Sequence, residues 1–307
     1  MDLTINGANQ QYISDLQTTQ NQINLAQAQL SSGYRLQQAS DDPGAISQIY
    51  ELQTQIALNQ QTQTNLGGAS AELSAADTAL QTAIQAVESA SSIASQGAST
   101  SSTPAEQANL AVEAQGIQQT LVSLSQTQVN GSYIFSGDQS SQPSYQLDAT
   151  APNGVDQLIT PTNTRVIQDV NGTSIATALT AQQIFDAQDA NGNPVSGNVF
   201  AAINSLVTAL QNNDQAGIAS AADALNAAGT YLNQQLAFYG EAEDRVSGAT
   251  QLAQKFLVQE QGNLGQVQDA DVPSAALALT RAQTQQQAAL SVEAKIQQEP
   301  NLFSLLA

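Results

Sequence analysis

The chain has 307 residues, 26 of them acidic against 6 basic, for a net charge of −20, so it lacks the clustered Lys and Arg that nucleic acid or an anionic membrane surface requires. Only 10% of residues are charged and 4% aromatic, which points to thin, Ala-rich helical layers under a Gln, Asn, Ser and Thr surface. With no Cys, His or Trp, disulfides, thiolate and imidazole nucleophiles and most transition-metal sites are excluded.

The start, MDLTINGANQQYIS, has neither a basic stretch nor an apolar run, so it does not read as a cleavable secretion signal. No apolar run approaches the roughly 18 residues of a membrane helix. Leu16, Ile23 and Leu30 then fall seven apart, with Thr19, Ala26 and Gly33 three residues after each. That is a coiled-coil stripe whose second column is small, too weak to stand without a partner.

The stretch LSSGYRLQQASDDPG (30–44) interrupts this helix. Gly33 ends it, Asp42 is the expected N-cap of the next helix with Pro43 at its first position, and Asp41 adds charge near the positive end of the dipole. Arg35 can pair with Asp41 or Asp42, or with carboxylates of another helix or subunit; as a solvated side chain it would contribute about 0–1 kcal/mol.

From Pro43 to about Ser95 the spacing predicts one helix of roughly 75 Å. Leu52, Leu66, Leu73, Leu80 and Val87 share a heptad column with Asn59 as its polar member, and Ile49, Ile56 and Ile84 sit in the companion column. Gly67 and Gly68 suggest a bend or a close helix contact. A loop (95–107) follows, with Pro104 in the first turn of a helix carrying Leu110, Ala114, Ile117, Leu121 and Leu124 on one face. Its end is expected near Asn130-Gly131, where Gly supplies a left-handed C-cap.

Between Tyr133 and Gly197 short β-like runs alternate with turn signals at Pro152-Asn153-Gly154, Asn171-Gly172 and Asn191-Gly192-Asn193-Pro194. Helical spacing returns at 198–214 and continues through a second long helix with Leu225, Leu232 and Tyr239 seven apart. A last helix places Ala275, Leu279, Ala282, Ala289, Val292 and Ile296 on one face, before the closing PNLFSLLA.

The expected fold class is mainly α with a β-rich insertion: a long antiparallel helical bundle whose termini pair as a coiled coil. Three domains are expected: 1–42 with 270–307 for assembly, 43–137 with 198–269 as the long-helix bundle, and 138–197 as the β-rich insertion.

Catalytic candidates are few. The carboxylate pairs Asp41/Asp42 and Asp269/Asp271 would need to face each other across a cleft for glycosidase chemistry, yet both sit where helices begin and read as N-caps. DAQDANGNPV (186–195) fails the EF-hand frame, because Ala187 and Asn198 occupy the first and last ligand positions; it reads as a hairpin turn. No catalytic, metal or cofactor site is expected.

LSSGYRLQQASDDPGAISQI (30–49) resembles the signature of the bacterial flagellin and flagellar hook-associated protein family: Leu-Ser-Ser-Gly, an Arg two residues after the Gly, then Asp-Asp. QDADVPSAALALTRAQTQQQAALSVEAKIQQEPNLFSLL is similar to that family's C-terminal helix and closing apolar segment, which adds Leu302, Phe303, Leu305 and Leu306 to the assembly residues. NGSYIFSGDQSSQPSY (130–145) resembles the third hook-associated proteins, the hook–filament junction members. Asp-Asp-Pro where flagellins carry Asp-Asp-Ala-Ala, together with the ending LFSLL, leans the same way.

The resemblance implies a non-enzymatic building block of the flagellum, flagellin itself being the alternative. It implies export in an unfolded state, a chaperone on the C-terminal helix, and assembly with further copies, the hook-side junction protein (the first hook-associated protein) and flagellin. No nucleic-acid or membrane partner is implied. A chemoreceptor-type cytoplasmic bundle shares the Ala, Gln and Ser heptads but should show a membrane span or a hairpin tip.

Overall fold

The computed structural model describes the backbone of residues 2–36, 38, 40–99 and 102–298, with side chains from residue 10 to residue 295 within those ranges. Seven α-helices and six short strands occur there in the order α1 (Asp2–Ser32), α2 (Pro43–Gly97), α3 (Pro104–Ser125), β1 (Gln128–Val129), β2 (Ser132–Tyr133), β3 (Tyr145–Leu147), β4 (Val155–Gln157), β5 (Val166–Gln168), β6 (Ser174–Ala176), α4 (Ala181–Phe185), α5 (Val199–Gln211), α6 (Gln215–Gln268) and α7 (Val272–Gln298). No helix among the described residues is long and apolar enough to cross a membrane. Two compact units are formed, Met1–Leu58 with Phe256–Ala307, and Asn59–Lys255, the dividing points falling within α2 and α6.

In the unit Asn59–Lys255 the heptad columns become the core. Asn59, Leu66, Leu73, Leu80 and Val87 of α2 are buried, as are Ile218, Leu225, Leu232, Tyr239, Val246 and Ala253 at seven-residue steps along α6. Each fully buried Leu contributes about 1.5–3 kcal/mol relative to exposure. The two segments run antiparallel: Gln215 Nε2 donates to the Gly97 carbonyl at 3.1 Å, and a Cβ on Gly229 would lie 3.7 Å from Val87. Helices α3 and α5 pack on each other and complete the same core. Thr103 and Glu106 form a reciprocal capping box that starts α3, with Pro104 at its first position.

Gly67 and Gly68 are exposed with open space around them, so they mark no close helix contact. Helix α3 stops at Ser125, five residues before the expected Asn130-Gly131 cap. Asn130 (φ 51°) and Gly131 (φ 78°) instead make the two-residue turn of the β1–β2 hairpin. The left-handed backbone read from the sequence is present, but two successive residues adopt it, which a primed hairpin turn demands and a C-cap does not.

The strands form three two-stranded antiparallel ribbons, each closed locally: β3–β4 and β5–β6 make up the β-rich insertion, and β1–β2 precedes it. At residues 189–193 the hairpin reading holds: Gln188 pairs with Pro194, and Asp189 accepts from the backbone N–H groups of Asn191 and Asn193, each at 2.9 Å. Helix α4, too short to show an apolar period, is absent from the expected elements, although Thr180 and Gln183 carry the capping-box spacing and close the box.

Aromatic rings dock the insertion on the bundle. Phe135 meets Phe185 at 5.9 Å and Tyr239 at 6.4 Å, while Phe200 stacks on Phe185 at 5.7 Å and lies 5.2 Å from Tyr145. Arg165 beside β5 forms an ion pair with Glu72 of α2.

Beneath these rings sits a buried carboxylate. Asp186 is 1% exposed and accepts four hydrogen bonds from neutral donors: the Tyr145 hydroxyl (3.1 Å), Gln188 Nε2 (2.6 Å), Asn153 Nδ2 (3.1 Å) and Asn198 Nδ2 (2.8 Å). Burial, then the Asp186 charge, pushes the Tyr145 hydroxyl far up from its ordinary value, so it stays protonated and donates.

Candidate assembly interface

The unit Met1–Leu58 with Phe256–Ala307 is built on α1 and α7, which pack antiparallel on each other. The inward residues of α1 are Tyr12, Leu16, Thr19, Ile23, Ala26 and Leu30, stepping alternately by four and three; those of α7 are Ala275, Leu279, Ala282, Gln286 and Ala289 with the same step. Ile23, Ala26, Ala275 and Ala282 are buried, whereas Leu16, Leu30, Leu279 and Ala289 are half-buried. Small Ala residues bring the two backbones together but remove little apolar area from water. Two polar contacts set the register: the Tyr12 hydroxyl donates to the Ala289 carbonyl at 3.0 Å, and Gln286 Nε2 donates to Gln20 Oε1 at 2.8 Å.

Val292 is 55% exposed and lies off this seam, the half-buried position there being Glu293. From Ala282 and Ala289 the seven-residue column runs to 296, and its companion runs from Gln286 to 293, so residue 292 falls between the two. Tyr12 and Gln286 are seam members that the apolar pattern missed; both sit at heptad distance from residues it did contain. The Ile296 side chain and residues Leu302, Phe303, Leu305 and Leu306 lie outside the described residues. Ile13, Leu25, Leu277, Leu290 and Val292 are each about half or more exposed, leaving α1 and α7 with apolar residues that their own pairing does not cover.

The joint next to this pair is ordered by backbone hydrogen bonds. Gly33, at φ +76°, ends α1 with its N–H on the Gln29 carbonyl (2.9 Å). Tyr34 and Asp269 then form an antiparallel bridge, flanked by Arg35 N–H to the Gln268 carbonyl (2.8 Å) and Ala270 N–H to the Gly33 carbonyl (2.8 Å). The two linkers, α1 to α2 and α6 to α7, are thereby zipped together. The Arg35 guanidinium donates through Nη2 to the Val267 carbonyl at 3.0 Å. Its partner here is a helix end rather than the carboxylate considered from the sequence. Val267 lies in the last turn of α6, where carbonyls run out of intrahelical donors and a cation is favoured at the negative end of the dipole.

Asp42 Oδ1 accepts from Ala45 N–H at 3.1 Å and so caps α2, while Asp41 Oδ2 accepts from Gln38 N–H at 2.9 Å within the turn before it. Asp271 caps α7: the Ser274 hydroxyl and N–H both bond its carboxylate (2.7 and 3.2 Å), and these bonds hold it below the usual carboxylate range. Both carboxylate pairs thus lie at helix starts, where capping occupies Asp42 and Asp271. Among the described residues no group of three or more acidic side chains is placed to hold a metal ion. What this arrangement can do is present two weakly closed amphipathic helices on a hydrogen-bonded joint.

Comparison with known proteins agrees at both ends of the sequence. The bacterial flagellin N-terminal helical region matches residues 4–140, and the bacterial flagellin C-terminal helical region matches residues 222–306. No match was found among curated protein sequences. Among solved structures, flagellar hook associated protein-3 from Legionella pneumophila is similar at 14% identity and TM-score 0.61, covering 71% of this chain and 98% of that one. FlgL from Xanthomonas campestris is similar at 15% identity and TM-score 0.58 (68% and 98% covered), and FlgL from Bacillus cereus at 16% and 0.56 (70% and 99% covered). The structural matches share the fold over roughly 70% of this chain, and the two sequence matches, 4–140 and 222–306, together span well over half of the chain, which belongs to the bacterial flagellin family.

Proposed function

We propose that this protein is the hook–filament junction subunit of a bacterial flagellum, a structural building block and not an enzyme. The observation that carries the reading is the likeness, over nearly the whole of each compared structure, to solved proteins described as FlgL or hook associated protein-3. The Ala-rich α1–α7 seam and the exposed apolar residues beside it support assembly through the terminal helices: a pair that buries so little by itself gains most of its order from neighbours.

In this reading the segments 1–42 and 270–307 line the inner wall of a tube, 43–137 and 198–269 form the next shell, and 138–197 faces outward. Contacts that do not close on themselves build a helical zone, with the hook-side junction protein at one end and flagellin at the other. The protein leaves the cell unfolded, and a cytoplasmic chaperone holds its C-terminal helix until export.

Gold-labelled antibody on isolated hook–filament preparations tests the assignment. A narrow band at the junction is the expected result; label along the whole filament makes the protein a bulk flagellin instead. Deleting residues 1–40 or 273–307 should leave a folded, soluble remainder that cannot assemble. Assembly by either truncation refutes the role given to the end helices.

A further inference from the structure

Five Asn-Gly steps occur in the sequence, at Asn6, Asn130, Asn153, Asn171 and Asn191. Gly offers no side chain to hinder attack by its own backbone nitrogen on the preceding Asn, so each step is chemically competent for deamidation. The structure treats them differently. Asn6 lies in α1, where the helix holds the following N–H in its regular hydrogen bond.

Asn153 gives its amide to the buried Asp186, and Gly154 N–H donates to the Ala151 carbonyl at 2.9 Å. Gly172 and Gly192 donate their N–H to the carbonyls of Asp169 and Asp189, each at 3.0 Å. Asn130-Gly131 stands apart. Both residues are exposed at the tip of the β1–β2 turn, and among the described hydrogen bonds none engages the Asn130 carboxamide or the Gly131 N–H.

We propose that Asn130-Gly131 is a self-modification site at which the folded protein deamidates first. Solvent base removes the Gly131 amide proton, the nitrogen bonds to Asn130 Cγ, and the Cγ–Nδ2 bond breaks with release of ammonia, leaving a five-membered imide. Water opens the imide at the Cγ carbonyl to give Asp, or at the backbone carbonyl to give isoaspartate. Asp adds a negative charge to an already acidic protein. Isoaspartate adds a carbon to the backbone of a two-residue turn and breaks the Gln128↔Tyr133 and Val129↔Ser132 register. The hairpin in turn anchors the exit from α3, through Ile134 N–H to the Thr127 carbonyl (3.0 Å) and Tyr133 N–H to the Ser140 carbonyl (2.9 Å), so the change loosens the base of the insertion.

The test is incubation of the full-length protein at mildly alkaline pH, followed by peptide mapping that separates Asn, Asp and isoaspartate at each step. Asn130 should convert first, with Asn171 and Asn191 roughly two- to ten-fold slower, the factor set by the hydrogen bond that must open, and Asn153 slowest. In denaturant the rates at these four steps should converge. Native conversion of Asn171 or Asn191 as fast as Asn130 overturns the proposal, and so does a lead for Asn130 that persists in denaturant, since local sequence would then set it.

Discussion

Replacing Asp186 by Ala removes the acceptor on which four side chains converge, and the cost follows from what each donor can do next. The Tyr145 hydroxyl is wholly buried and loses its only described partner. Asn198 is buried too but keeps the Ala187 carbonyl at 3.1 Å. Gln188 and Asn153 are half-buried and can turn toward water. One fully orphaned donor costs about 1–3 kcal/mol, and the lost bonds to a charged acceptor add to it. Against this, the variant no longer buries a carboxylate, an effective penalty of several kcal/mol in a folded protein. The balance predicts a net loss of about 2–4 kcal/mol, large for a single substitution. Equilibrium urea unfolding, followed by tyrosine fluorescence in a protein that contains no Trp, measures it as a drop in midpoint at constant slope. A loss below about 1 kcal/mol would show that the four bonds do no more than offset the burial of the charge.

Gly154 has φ +74°, and a Cβ there would overlap Gln118 Nε2 and Asn204 Oδ1; Gly154→Ala should cost roughly 2 kcal/mol or more in the same unfolding experiment, and an unchanged midpoint refutes the clash. Arg35→Ala removes one exposed bond to the Val267 carbonyl and should lower monomer stability by no more than about 0.5–1.5 kcal/mol while impairing filament attachment more strongly; equal losses in melting and attachment assays return Arg35 to a purely structural role. Burial, then the neighbouring Asp77 and Asp244 charges, raises the Glu243 carboxyl above its ordinary value of 4.5. A raised acid contributes stability that is present below 4.5 and lost as pH rises through the folded value. Glu243→Gln should therefore melt higher than the parent at neutral pH and alike in acid, and a shift of the same size at both pH values refutes the electrostatic cause.

The helical skeleton could be read in advance because burial repeats every seven residues. Leu66, Leu73, Leu80 and Val87 on α2, and Leu225, Leu232 and Tyr239 on α6, are apolar at that step, and all are buried. Capping is equally local: Asp42, Thr103 and Asp271 each bond an N–H three residues ahead. Where one local signal fits two structures, the sequence was ambiguous. Asn130-Gly131 supplies left-handed backbone to a C-cap or to a hairpin, and the partner strand decides between them. Gln286 is polar and adds nothing to an apolar period, yet the packing of α1 on α7 places it inward and Val292 outward.

Local chemistry alone thus determined the long helices α2 and α6 with their buried columns, the N-caps at Asp42 and Asp271, and the places where the chain turns, each a matter of residues within about two helical turns of one another. Tertiary structure decided which carbonyl receives Arg35, how the two linkers zip at Tyr34 and Asp269, and why Asp186 tolerates burial. Those outcomes depend on groups far apart in the sequence, brought within 3.1 Å by folding. A hydrogen bond leaves no periodic trace in sequence, because its energy falls off within a fraction of an ångström while its partners can lie anywhere along the polypeptide.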